Sequence, residues 1–505
     1  MQRKALTLAI AAALSLGTGS AFAYSFSDGG YTTANTAVIK ISGSSAMTSQ
    51  IKAWAQTTLC LPSGWHQTPL YIKDANNFAI VCKPAIDNRY PGINGPYPPR
   101  FTQPNIAIVM NSSGGSGNGI SQLNTAGQGY MDVFQADPAT GPLAKNYYGS
   151  NNFRSDVAVS DEELTILIKA GAVSGSAAGV ISAPLNAVTF GTPVTLSLRN
   201  ALQQAQFGSA CVGVETEDCM PSLSQSQIAS IFAGQAVGWS EFGLTNADDN
   251  IYIARHVVTS GTQTAARVFF LNGPCTDGMT TFLAGDNGEY ATKPNACNAA
   301  SYTGRVFEGS GGGNVEACLT NHQRNGRWAI GINSLELPST TDTTPEYAIA
   351  GGALVTTSGN PNTGTPNKLF NKNFQRHIKI SGFAPTTFNT TTGRYRFFFE
   401  AAVHTLATPL YGNTDGNALM VLMQADFNNP AVLAQLNATF NTTVLLGPGK
   451  SAGILAPTSS GVVPATPASE SATVNAPQMY YTHAVQGAPS SCQPAMSFYA
   501  TGINP

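Results

Sequence analysis

Charge is scarce in this chain: 10% of its 505 residues are Asp, Glu, Lys or Arg, and the formal net charge is −2. So neutral a balance excludes the basic footprint by which proteins hold nucleic acid or anionic membranes. Metal-binding patterns are lacking as well. No cysteines have C-x-x-C spacing, and His66, His256, His322, His377, His404 and His483 stand apart, none spaced with Asp or Glu as metal ligands. A zinc site or a metal-dependent hydrolase is not expected. Nor is there a nucleophile–base constellation. The sequence predicts neither an enzyme nor a cofactor, and it reads His256 as a solvent-facing loop residue.

Long apolar runs are missing too. "ALTLAIAAALSLG" falls short of the ~18 residues of a membrane span. With Arg3 and Lys4 before it and "AFA" ending at Ala23, it reads as a signal peptide over residues 1–23. The mature chain is expected to begin near Tyr24 and to be periplasmic or secreted, with no cysteine there to carry a lipid anchor.

Glycine, serine, threonine and asparagine are plentiful instead. Eight cysteines, an even count, favour disulfides in an oxidising compartment. Cys60 with Cys82 and Cys211 with Cys219 would close short loops; Cys275, Cys297, Cys318 and Cys492 leave their pairing open. About 480 mature residues are more than one core usually serves, so two or more lobes are expected.

One plan recurs along the chain: an apolar strand, a turn of small polar residues, then a helix. It appears at "AVIKISGSSAMTSQIKAWA", "PNIAIVMNSSGGSGNGISQL", "SDVAVSDEELTILI" and "NIYIARHVVTSGTQTAARVFF". In the third, Ser160 and Asp161 stand where a helix cap would. "LSQSQIASIFAG" has helical spacing, "GRWAIGINSLEL" looks like a buried strand, and "GNALMVLMQADF" and "PAVLAQLNATF" read as late helices. Residues 338–375 suggest a long loop or insertion. The alternation argues for an α/β fold with largely parallel sheets.

In open α/β sheets the carboxyl ends of the strands face the ligand crevice. The first amides of each following helix lack an intrahelical acceptor and carry the positive end of the helix dipole. With nearby hydroxyls they form a nest for a small oxyanion. Arg255, five residues before Ser260, is suited to clamp a tetrahedral anion with its fork of donors. Asp161 would repel an anion unless that anion keeps a proton. Hydrogen phosphate has a P–OH to donate to a carboxylate; sulfate at neutral pH has none.

The order of these segments, from about Val38 to Leu337, resembles the substrate-binding protein of bacterial high-affinity phosphate ABC transporters. That family has the two-lobe type II periplasmic binding protein fold with a hinge. "ISGSSAMTSQIKAWA" is similar to its first turn and helix, and "NSSGGSGNGISQL" to its second phosphate loop. "VAVSDEEL" is similar to its A-S-D segment, and "ARHVVTSGT" to its R-x-x-x-S-G-T motif. The resemblance implies a phosphate site at Ser45 (hydroxyl), Ala46 (backbone amide), Ser116, Asp161 (acceptor of the phosphate proton), Arg255, Ser260, Gly261 and Thr262. It also implies an ABC permease as partner. The chain departs from the family in four ways: one extra residue between Arg255 and Ser260, Val258 where an Asp normally orients the Arg, eight cysteines, and an extended C-terminal third.

The expected organisation is a first lobe over 24–184, a second over 185–300, a return to the first with an insertion over 301–450, and a C-terminal extension over 451–505. Two crossing strands would serve as the hinge. The expected function is non-enzymatic: a monomer holding an inorganic oxyanion, phosphate first, between two lobes. The alternative is a surface or extracellular interaction protein that keeps the fold with altered or lost ligand binding.

Overall fold

The computed structural model describes residues 31–60, 70–74, 76–85, 101–127, 129–134, 153–276, 282–283, 297, 304–336, 347–350, 353–356, 375–408, 414–439, 453–457, 477–485 and 488–497. The expected signal peptide, His66 and most of 338–375 lie outside these residues.

The apolar alternation of "TAVIKISG" gives β1 (Thr36–Gly43), whose Ile39 and Ile41 are fully buried. Helix α1 (Ser45–Trp54) follows. Next come β2 (Leu70–Asp74), β3 (Asn77–Cys82), β4 (Asn105–Asn111), α2 (Gly115–Asn124), β5 (Val157–Ser160), α3 (Leu164–Lys169) and β6 (Val180–Gly191). The middle of the chain forms β7 (Pro193–Thr195), α4 (Leu196–Phe207), β8 (Ser222–Leu223), α5 (Gln225–Phe232), β9 (Tyr252–His256) and α6 (Gly261–Leu271). It continues through β10 (Val306–Gly309), α7 (Gly312–Arg324), β11 (Ala329–Gly331) and β12 (Asn333–Ser334). After a hairpin of β13 (Tyr347–Ala350) and β14 (Ala353–Thr356) come β15 (Gln375–His377), β16 (Lys379–Ile380) and α8 (Thr387–Thr391). Then follow β17 (Phe398–Leu406), α9 (Asp415–Phe427), α10 (Pro430–Thr439) and β18 (Ile454–Leu455). Both late helices and the α5 segment stand where the apolar spacing puts them. A full capping box, with Ser224 and Gln227 bonding reciprocally, starts α5.

The fold is α/β, built on two sheets. The first runs β12-β6-β17-β5-β1-β4-β3-β2, with β18 also on β6; the second runs β10-β9-β11-β7-β15. Pairing is parallel only at the centres, where β1 lies between β4 and β5 and β9 between β10 and β11. Elsewhere in both sheets it is antiparallel, against the largely parallel expectation. In the first sheet β17 runs back between β6 and β5 and β3 runs back between β4 and β2; in the second β7 runs back between β11 and β15. The parallel centres are what matter for a site, since their carboxyl ends carry the polar turns.

The chain changes sheet twice through single buried residues. Thr192 joins β6 to β7, and Ile332 joins β11 to β12. β6 stays in the first sheet to Gly191, β10 and β11 lie in the second, and the chain visits the second sheet again at β15 before β17 returns it to the first. The largest apolar cluster spans both sheets, from Ile39 and Ile41 to Ile253 and Ile330. Phe269 of α6 stacks on Phe397, just before β17, at 4.7 Å between ring centroids.

Cys60–Cys82 and Cys211–Cys219 are bonded, as their short spacing predicts. The remaining four pair as Cys275–Cys492 and Cys297–Cys318. His322 is buried beside Cys297 and Cys318, but the disulfide removes the thiolates a metal would need. Among the described residues, no helix is long and apolar enough to cross a membrane.

Candidate functional site

Four strand ends converge on Asp161. β1 ends at Gly43, whose φ of +124° and close approach to Val159 leave no room for a side chain: a Cβ there would sit 1.9 Å from the Val159 carbonyl oxygen. The Ser44 N–H donates to that same carbonyl at 2.9 Å, which pins the first turn to β5. The hydroxyl of Ser44 donates to Asp161 Oδ1, and its oxygen also lies 3.3 Å from the Met47 N–H as the N-cap of α1. From the second sheet's side, the Thr262 hydroxyl donates to Asp161 Oδ2 at 2.9 Å. The Asp161 N–H donates to Ser116 Oγ at 3.2 Å, which brings in the start of α2.

The loops before α2 and α6 also touch each other. The Gly117 N–H donates to the Thr259 carbonyl at 2.9 Å, and a Cβ on Gly115 would come within 3.1 Å of Ser260 Cα. Gly261 is wedged so tightly that a Cβ would lie 2.5 Å from Ser116 Oγ and 2.8 Å from Asp161 Cβ. Only glycine allows this approach. Ser116, Asp161, Ser260 and Thr262 are all at most 4% exposed. Hence Ser116, Asp161, Gly261 and Thr262 meet in one buried place, with Ser260 against Gly115.

The other expected residues sit differently. Ser44, not its neighbour Ser45, touches Asp161. Ser45 begins α1 and faces Gly311, from which a Cβ would lie 3.6 Å from its hydroxyl. Gly311 is the N-cap of α7, so a further helix start borders the place. Ala46 is the second residue of α1, where a backbone N–H has no acceptor inside the helix. Asp161 does not cap a helix: α3 begins at Leu164 with Glu163 before it.

Arg255 is 3% exposed on β9, with its guanidinium over the Phe282 ring at 5.3 Å. Its Nη2 and Nε donate to Glu308 Oε1 at 2.9 and 3.2 Å. Glu308 stands directly opposite it in the β9–β10 register. Val258, where the resembled family has the orienting carboxylate, is 51% exposed. The partner therefore comes from the adjacent strand, 53 residues along the chain. No local spacing signals such a pair. Glu308→Ala is expected to lower unfolding stability by about 2 kcal/mol in urea titration, with Glu308→Gln losing less, because truncation takes a carboxylate from beside a nearly buried guanidinium.

His256 is not a solvent-facing loop residue. It is 1% exposed at the end of β9, and burial lowers its pKa to about 4. It stays neutral at physiological pH.

Burial raises the Asp161 carboxyl above its ordinary value, and the hydroxyls of Ser44 and Thr262 pull the other way. Further carboxyls crowd behind it. Burial drives Glu162 well above its normal range, and the neighbouring carboxylates add to this against a hydrogen bond from Ser491. Burial likewise raises Glu163 to about 7 and Glu336 to about 8. Burial alone would raise Glu400 too, yet His483 beside it and the bonds it accepts leave its carboxyl below the ordinary value. An ionised Asp161 would have acceptor capacity left beyond its two hydroxyl donors. The arrangement thus offers hydroxyls, helix-start amides and one acceptor.

No protein-family model matches the sequence, and no curated protein does. Among solved structures the chain is similar to an ABC-type phosphate transport receptor from Vibrio cholerae. The identity is 12% and the TM-score 0.35, with 81% of this chain and 100% of that one covered. It is also similar to a phosphate-binding protein from Stenotrophomonas maltophilia, at 13% identity and TM-score 0.35, over 77% and 84% of the two chains.

Proposed function

We propose that this chain is an exported, non-enzymatic binding protein for a small protonated oxyanion, hydrogen phosphate before others. One observation carries the reading: the buried Asp161 carboxylate receives hydroxyls from the turns of both sheets, Ser44 after β1 of the first and Thr262 after β9 of the second. A site for a fully ionised anion would have no use for a buried carboxylate. An anion that brings a proton turns the same group into a hydrogen-bond acceptor, and rejects sulfate at the cost of an unpaired acceptor, ~1–3 kcal/mol. Ser116 and the first amides of α1, α2 and α6 would supply the donors, while the Ser44 and Thr262 hydroxyls, already given to Asp161, would hold that carboxylate in place. Ser45, Ala46, Ser260 and Gly261 would line the same space, and Arg255 would stand at its margin.

The disulfides suit an oxidising compartment. In this reading the first sheet forms one lobe, the second sheet the other, and the protein acts as a monomer that delivers its anion to a permease. The Arg255–Glu308 pair favours a second reading, in which the fold is kept and the ligand changed, since a paired arginine is less available to an anion.

Thermal unfolding in phosphate, arsenate and sulfate separates the two. Phosphate at a hundredfold over its Kd is expected to add roughly 2.7 kcal/mol and raise the midpoint by a few degrees. Arsenate should follow it and sulfate should not. A midpoint unmoved by millimolar concentrations of all three would remove the binding reading and leave the second.

A further inference from the structure

The C-terminal segment is fastened to both halves of this place. Residues 477–480 bond to Ala456 and Thr391: Met479 N–H donates to the Ala456 carbonyl at 2.8 Å and Tyr480 N–H to that of Thr391 at 3.2 Å. Farther on, the Thr482 hydroxyl and the His483 N–H donate to Glu400 Oε1 at 2.7 and 2.9 Å, and His483 Nδ1 lies 3.2 Å from Glu400 Oε2. The His483 ring stacks on Phe399. These contacts hold the segment against β17 of the first sheet.

Next, Ser491 bonds to the two residues that follow Asp161. Its hydroxyl donates to Glu162 Oε2 at 2.5 Å and its N–H to Glu163 Oε2 at 3.2 Å. The next residue, Cys492, is bonded to Cys275, just past the C-terminal end of α6. The other end of α6 carries Thr262, bonded to Asp161. A ring is thereby closed: Asp161 to Thr262, along α6 to Cys275, across to Cys492 and Ser491, and back through Glu162 to Asp161. A cavity of about 350 Å³ remains between α5 and α6 on one side and β17 with the segment on the other.

We propose that residues 477–485 and 488–497 are a positioning strap for the anion site. Through Cys492 on Cys275 and Ser491 on Glu162 and Glu163, the strap fixes α6 against the Asp161 turn. It holds Thr262 and Asp161 in place before any anion arrives, and limits how far α6 can swing away. The positioning claim stands on these contacts alone; its effect on anion release rests on the function proposed above.

The test compares the full-length protein with the double variant Cys275→Ala/Cys492→Ala. Cys211→Ala/Cys219→Ala, which removes a disulfide away from the ring, is the control. Without phosphate, amide hydrogen exchange over residues 160–164 and 261–268 is expected to quicken by about tenfold in the first variant and to stay unchanged in the control. With inorganic phosphate, stopped-flow dissociation should quicken by about tenfold, while unfolding midpoints do not track the difference. Equal exchange in wild type and the first variant overturns the strap, whatever phosphate does. Faster exchange with no phosphate binding in any of the proteins supports the strap and removes the binding reading instead. Should the double variant not fold, Ser491→Ala with the disulfide kept is measured in the same way. It is expected to loosen 160–164 first, and unchanged exchange there also overturns the proposal.

Discussion

Asp161→Asn is expected to weaken hydrogen phosphate by about a hundredfold, ~3 kcal/mol, and to erase any preference over sulfate. The carboxylate is 2% exposed and already accepts from Ser44 and Thr262. Asparagine keeps the shape and one acceptor oxygen, but its amide nitrogen can only donate. The P–OH of the ligand would then face a donor, while sulfate would no longer face a buried negative charge. Calorimetric titration of both proteins with both anions reads the effect. Because burial already disfavours the ionised form of Asp161, the variant should fold at least as well as wild type, so a lost affinity cannot be put down to lost structure. Unchanged phosphate affinity in a folded variant would mean that Asp161 does not meet the ligand.

The second large effect concerns pH and belongs to Glu336. This side chain is 3% exposed, and burial, with Asp161 and Glu316 adding to it, raises its pKa to about 8 against bonds from its own backbone and Ser334. The raised value fixes the sign. Below the ordinary carboxyl pKa of about 4.5 both folded and unfolded chains hold the proton, and the group has no pH-dependent effect. Between there and pH 8 the unfolded chain releases the proton while the folded one retains it. Stability therefore falls as pH rises, by up to about 1.4 kcal/mol per unit, and levels off above. Glu336→Gln removes this slope. Urea midpoints should nearly coincide at pH 4.5, and at pH 8.5 the variant should be the more stable by ~3–5 kcal/mol. Glu162 and Glu163 tilt both proteins the same way, so the difference between them is what is read. Parallel profiles from pH 4.5 to 8.5 would show that Glu336 is ionised in the folded state.

What the sequence disclosed, and what it did not, follows from the range of each interaction. "GSSAMTS", "GGSGNG" and "TSGT" announce helix starts through residues adjacent in the chain, and those turns do meet at Asp161. Which serine of the Ser44–Ser45 pair reaches the carboxylate depends on where β1 stops, and that is set by the pinch of Gly43 against Val159. Cys60–Cys82 and Cys211–Cys219 were readable because each has a near neighbour and no rival; Cys297–Cys318, only 21 residues apart, was not, because Cys275 lies about as near to Cys297 on its other side, and Cys275–Cys492 spans 217 residues. Glu308 comes to Arg255 through strand pairing, and Glu336 and Ser491 come near the Asp161 turn by chain return, so no spacing near Arg255 or Asp161 points to them. His256 misleads for a related reason. Beside a polar turn it looks like loop, but it ends β9, and β10 and β11 flank that strand on both sides.

The pairing of Arg255 with Glu308 also bears on how a small anion would reach the Asp161 turn. A guanidinium whose charge is balanced by a neighbouring carboxylate projects little field into the surrounding water. With so few other ionised groups on the molecule, arrival would depend on random encounter rather than on attraction from afar. Selectivity would begin only once the anion is inside, among dipoles that act over a few ångströms.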